Sequence, residues 1–203
     1  SRGDEVPPES GRIPPMPDED VAALRDVSRA EMMSRIVTAD ARDFRPAFID
    51  QALPNGGAEI APVIGLGMTQ NRDHAAPITN AHEFSAEWLR IAPGQSVGPF
   101  QTDEKMVLMM HEGQLQLDYA DGGNASVQVN AWDTYSVPGG AMRTFTATGD
   151  TAVEVLVVLS GDHRKRPVFA PEIIKAANAT GLGLDASGFV AKAHLLPSYG
   201  RAS

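Results

Sequence analysis

The sequence predicts an all-β fold, a sandwich or barrel, on three observations. Short strand-like segments of about 5 to 9 residues follow one another through most of the chain, each stopped by Gly, Asp or Pro. Turn signals recur about every 8 to 12 residues, the spacing of β-sandwiches and barrels. Nineteen Gly and 15 Pro in 203 residues favour turns over long helices.

Residues 1–17 hold five prolines and several charges, and bury too little apolar surface to offset their ordering entropy. They are expected to form a disordered arm. Residues 18–42 read as a short helical extension. Val21, Leu24 and Val27 lie at helical spacing. Ser28 with Glu31 fits a capping box for a second short helix running to about Ile36, whose buried side would be Met32, Met33 and Ile36.

Residues 43–197 are the expected barrel, and 198–203 a tail. "AEIAPVIGLG" and "EFSAEWLRIAPG" open the strand series, followed by "KMVLMMHEG", "QLQLDYADGG", "ASVQVNAWD", "TYSVPGG", "MRTFTATGD" and "TAVEVLVVLSGD". "QLQLDY" alternates and so has one wet face. "MVLMM" and "VEVLVVL" are apolar at successive positions, which predicts cover on both sides. Pro171 suits the first position of a closing helix, "PEIIKAANAT", and Gly181 its stop. A turn and an extended segment follow.

The net charge of −9 argues against general nucleic-acid binding, which needs a basic footprint. The basic run His163-Arg164-Lys165-Arg166 reads as a solvated loop rather than a phosphate or partner site. Without cysteine there are no disulfides, zinc–thiolate sites or thiol nucleophiles. No apolar run approaches the ~20 residues of a membrane span, and the polar N-terminus lacks a signal-like core. A cytoplasmic protein is the expectation.

Two landmark series carry a family resemblance. Gly94, Phe100, Thr102, Met106 and Gly113 are separated by five, one, three and six residues. Trp132 is followed after five residues by Pro138-Gly139-Gly140, then by Arg143 and Ala147. This spacing resembles the two motifs of the cupins, in which a glycine precedes His-x-His, Glu and a second glycine, and a further glycine precedes Pro-x-Gly, His and Asn. Both glycines of the first motif and the Pro-x-Gly turn match. The first glycine of the second motif is Trp132 here, and its Asn is Ala147. "APEIIKAANATGLGLDASG" also resembles the helix and turn that close one bacterial cupin group. The resemblance covers roughly residues 75–190. It implies a double-stranded β-helix, the cupin jelly-roll barrel, with short N-terminal helices and a C-terminal helix.

In metal-bearing cupins the two histidines, the glutamate and the later histidine hold one metal ion. Carried over position by position, they fall on Phe100, Thr102, Met106 and Arg143. Phe cannot coordinate, a hydroxyl and a thioether are poor ligands for the usual ions, and Arg is a permanent cation. No metal or other cofactor is expected. The five histidines are scattered without ligand spacing, and His111, beside the turn at Gly113, is expected at the surface.

Alternation places Phe100, Thr102, Met106, Leu108, Met110, Arg143 and Phe145 inside the barrel. A hairpin through "TATGDTA" would bring Glu154 opposite Phe145 and near Arg143, either as an ion pair plugging a disused site or beside a ligand pocket with Arg143 as anion anchor. Trp88 and Arg90 are further candidates to line the cavity. Of Thr134 and Tyr135 only one can point inward.

The resemblance then implies a metal-free accessory or structural subunit of a small-molecule catabolic complex. Two-subunit hydroquinone dioxygenases resemble such an arrangement, with a metal-bearing cupin beside a metal-free one. The expected partner is another cupin chain, in a homo- or hetero-oligomer, with a small anionic or aromatic ligand as an added prospect. Alternatives are a metal-independent isomerase- or epimerase-like enzyme, with Glu154 as its weak candidate base, or a small-anion sensor using Arg143.

Overall fold

The computed structural model describes residues 14–15, 25–80, 82–119 and 125–197. The expected arm at 1–17 lies almost wholly outside these residues, as do Val21, Leu24 and the tail at 198–203. The chain divides into two compact units, 1–36 and 37–203.

In the first unit, α1 spans Arg29–Ser34. Ser28 caps it, its hydroxyl accepting from the Glu31 backbone N–H at 3.1 Å. The capping box is only half made, because Glu31 turns its carboxylate to Arg25 and Arg35. Met32, Met33 and Ile36 are exposed, against the expectation that they are buried. Six residues form less than two helical turns, too short to present a continuous apolar stripe.

The second unit is two facing β-sheets. One is six-stranded, in the order β1 (Arg45–Pro46), β2 (Ala58–Ile64), β3 (Phe84–Ile91), β10 (Val153–Ser160), β5 (Met106–Glu112) and β8 (Thr134–Val137). The other has five strands, in the order β11 (Val168–Phe169), β4 (Ser96–Gln101), β9 (Arg143–Ala147), β6 (Gln114–Tyr119) and β7 (Ala125–Asn130). Every pairing within them is antiparallel. Outside the sheets, α2 (Pro171–Ala179) begins with Pro171 and gives way to Gly181 at φ +93, as expected. β12 (Leu182–Leu184) and β13 (Val190–Lys192) then pair as a small hairpin.

The inner faces share one core. Along β10, Val153, Val155, Val157 and Leu159 are fully buried while the residues between them are not. Leu89, Val155 and Met110 form one cross-strand row; Glu87, Val157, Leu108 and Tyr135 form the next. Tyr135 is therefore the inward member of its pair, and Thr134 is exposed. On the other sheet Val97, Phe145 and Leu117 oppose one another. Gly113 sits at φ +82 where a Cβ would stand 2.6 Å from the Ala152 carbonyl oxygen, so that turn requires glycine.

Among the described residues no helix is long and apolar enough to cross a membrane.

Candidate functional site

The four positions that resemblance aligns with metal ligands come together in the structure. Phe100 on β4 is the cross-strand partner of Arg143 on β9. The Arg143 side chain is buried and donates from Nη2 to the Thr102 hydroxyl at 2.9 Å and towards the Met106 sulfur at 3.9 Å. Its Nη1 donates to the Ala141 carbonyl at 2.7 Å, and the guanidinium carbon lies 4.9 Å from the Phe100 ring centroid. Burial pulls the Arg143 pKa down to about 10, against the opposing charge of Glu104. It remains a cation at neutral pH.

Aromatic rings fill the space beside it. Phe100 packs edge-on to Phe145 at 5.4 Å and stacks on Phe169 at 5.5 Å, with Phe48 closing the group at 6.2 Å from Phe100. Phe100, Thr102, Met106, Leu108, Met110 and Phe145 are all inaccessible to solvent. These positions offer one hydroxyl, one thioether and a fixed cation, a donor set that does not fit a divalent transition metal. Among the described residues no three His, Asp or Glu side chains gather as a metal-binding group.

Glu154, Trp88 and Arg90 do not join this cluster. The "TATGDTA" segment is no hairpin turn: it carries the chain from one sheet to the other, so β9 and β10 are not neighbours. Glu154 instead lies opposite Arg90 and Glu112, on the outer face of the six-stranded sheet, and its carboxylate meets Arg42 at 2.8 Å. The expected Arg143–Glu154 pair does not form. Trp88 and Arg90 share that outer face by strand parity, the Arg90 guanidinium lying over Phe44 at 3.8 Å.

A buried polar group that sequence reading missed sits on the inner face of β3. Glu87 is wholly buried, and both its carboxylate oxygens accept from the Met68 N–H, at 3.2 and 3.3 Å. Burial pushes its pKa up to about 7; the Met68 bond and Lys165 act the other way. A Cβ on Gly67 would stand 2.0 Å from this carboxylate, so any larger residue there would force the Glu87 side chain to shift. The signal was present, since Glu87 alternates in phase with Ser85 and Leu89 along β3. Asp50 is a second buried acid, raised to about 6 by burial although it accepts from the Gly98 N–H.

The basic run is also not a uniformly solvated loop. Lys165 is inaccessible, its ammonium donating to the Gly161 and His163 carbonyls. Arg164 is partly buried with its guanidinium over Phe189 at 3.6 Å. Only His163 and Arg166 are exposed.

The outer face of the six-stranded sheet corrects another expectation. "MVLMM" is covered on one side only: Val107 and Met109 are 38% and 47% exposed. Near them an aromatic ladder runs from Trp88 to His111 at 5.9 Å and on to Trp132 at 5.5 Å, both edge-on. His111 is at the surface, as expected. Trp132 is 75% exposed and sits at φ +71, a left-handed conformation. It occupies the place where the resembling motif carries glycine: the backbone keeps the glycine geometry while the residue is an exposed indole.

No protein-family model matches the chain, and no curated protein matches it significantly. Solved structures do. A cupin-2 domain from Rhodospirillum rubrum superposes with a TM-score of 0.50 at 16% identity, over 72% of this chain and 84% of that one. A structure of DMSP lyases gives 0.51 at 10% identity, over 64% of this chain and 62% of the other. An oxalate oxidase gives 0.48 at 21% identity, over 62% of this chain and 60% of its own, so the match leaves out about two fifths of that enzyme. At such identities the likeness is one of fold: this chain has the cupin fold.

Proposed function

We propose that this protein is a metal-free cupin that works as a non-catalytic structural subunit, holding a second cupin-fold chain on the outer face of its six-stranded sheet. The observation that carries the reading is Trp132. A left-handed non-glycine residue costs about 1 kcal/mol or more, and exposing an indole adds an unburied apolar surface. Neither helps a lone chain. Both make sense if a partner covers the indole, since Trp is enriched among residues that dominate binding energy. Val107 and Met109 extend the same surface, on a strand whose apolar run reads as buried on both sides. The filled interior supports a role in assembly, because the positions that would carry chemistry are occupied by packed side chains and a bonded cation. The partner is a copy of this chain or a metal-bearing relative in a small-molecule catabolic, ring-cleaving type of complex.

The test separates folding from association. Trp132→Gly relieves the left-handed strain and is expected to leave the chain folded and as stable or more so, while weakening the complex at least tenfold. Met109→Glu, which places a charge on the same face, is expected to do the same to association. Light scattering on the chain alone, and on the chain co-expressed with a metal-bearing cupin from its genomic neighbourhood, reads both effects. A wild-type chain that is monomeric and binds no such cupin would contradict the proposal, as would a complex indifferent to both substitutions.

A further inference from the structure

Residues 106–110 set methionines on opposite faces of β5. Met106 and Met110 point into the packed core and are inaccessible, whereas Met109 points outward and is 47% exposed. Met109 belongs to a cross-strand row with Trp88, Leu156 and Thr134. The next outward row, from Ala86 to Ser136, passes through Val158 and Val107. Neither row holds an ionisable side chain. Charge begins one row to the other side, with Arg90, Glu154 and Glu112, where Glu59 pairs with Arg90 and Arg42 with Glu154. Met109 is thus a solvent-accessible thioether in an uncharged part of the face.

Peroxides oxidise such a thioether to the sulfoxide. The sulfur lone pair attacks one peroxide oxygen, and the O–O bond breaks as the S–O bond forms. The proton of the transferred oxygen passes to the departing hydroxide, giving water. Sulfur loses two electrons and the peroxide gains them. The product is polar and chiral where the thioether was flexible and apolar, a change that disrupts methionine-rich contacts. Methionine sulfoxide reductases reverse it.

We propose that Met109 is a reversible oxidation site, at which a hydroperoxide turns the outer face of the six-stranded sheet polar and prevents the free chain from docking. The effect on docking rests on the reading of that face as the partner surface; the oxidation itself rests on exposure alone. A partner that covers Met109 also shields it, so assembly and oxidation exclude one another.

The test uses the full chain, as wild type and as the Met32→Leu/Met33→Leu double variant, because those two methionines of the first unit are exposed as well. Hydrogen peroxide is applied under native conditions, and peptide mass mapping follows each methionine. Met109 is expected to gain oxygen at least about tenfold faster than the buried Met68, Met106 and Met110. Light scattering is expected to show the oxidised chain associating at least about tenfold more weakly in both backgrounds, with recovery after reductases for both sulfoxide epimers. The proposal is overturned if Met109 reacts no faster than the three buried methionines. It is also overturned if the Met109 sulfoxide chain associates as tightly as the untreated one, or if reduction restores nothing. The untreated chain, measured first, reports on the docking surface by itself. If it does not associate, that reading falls and the effect on docking falls with it, while mass mapping still decides whether Met109 is the oxidation site.

Discussion

Replacing Arg143 by methionine is expected to leave the stability of the fold within about 1 kcal/mol of wild type, whereas Arg143→Ala is expected to cost about 3 kcal/mol or more. The two substitutions remove the same charge and differ in the volume they leave. Arg143 is a buried cation whose bonds go to a hydroxyl, a carbonyl and a thioether, with no carboxylate in direct contact among the described residues. Its desolvation is thus poorly repaid, and apolar residues of similar size replace such buried charges with little loss. Alanine instead opens a void against Phe100 and Met106, where large-to-small losses run to several kcal/mol. Urea denaturation of the three chains measures this. Equal destabilisation by methionine and alanine would mean that the charge itself holds the interior together.

Stability is expected to fall as pH rises from about 4.5 to about 7, and Glu87→Gln is expected to remove most of that fall. The folded-state pKa of Glu87 is raised to about 7 from an ordinary 4.5. Below 4.5 the carboxyl is protonated in both states and costs nothing. Between the two values the unfolded chain releases a proton that the folded chain keeps, so the slope of stability with pH is negative. A shift of this size corresponds to about 3 kcal/mol, lost progressively and fully absent above pH 7. Asp50, raised to about 6, acts in the same direction over a lower window. Glu87→Gln keeps an acceptor for the Met68 N–H without the charge. Thermal melts should show the variant several degrees more stable at pH 8 and close to wild type at pH 4. A less stable variant at pH 8 would mean that the attraction of Lys165 outweighs burial.

The fold was largely legible, because strand length, alternation and turn residues are local properties. Gly113 announces its turn through a conformation that other residues avoid, and Pro171 and Gly181 bracket α2 by the same kind of local chemistry. The inward set Phe100, Thr102, Met106 and Arg143 followed from parity within strands. Glu154 failed where parity had to be carried across a connection: "TATGDTA" has hairpin composition, yet the chain uses it to change sheets, and no local signal marks that choice. Trp88 and Arg90 were misplaced for a related reason, since a large ring suits either face until the packing of the other strands is known. Lys165 and Arg164 were hidden in a charged run. Only tertiary packing reveals that the Lys165 ammonium caps carbonyls and that Arg164 lies on a phenylalanine. The open side of "MVLMM" was invisible for the opposite reason: an apolar run does not say which of its faces is packed, and in the fold Val107 and Met109 are exposed.

The interior of this cupin fold is a packed core whose donor set does not suit a transition metal. Elemental analysis of the purified full chain after incubation with Fe2+, Mn2+, Ni2+, Cu2+ and Zn2+ and removal of free ions tests it most directly. No stoichiometric retention of any of these metals is expected. One metal ion held per chain, and lost on substitution of Thr102 or Met106, would contradict it.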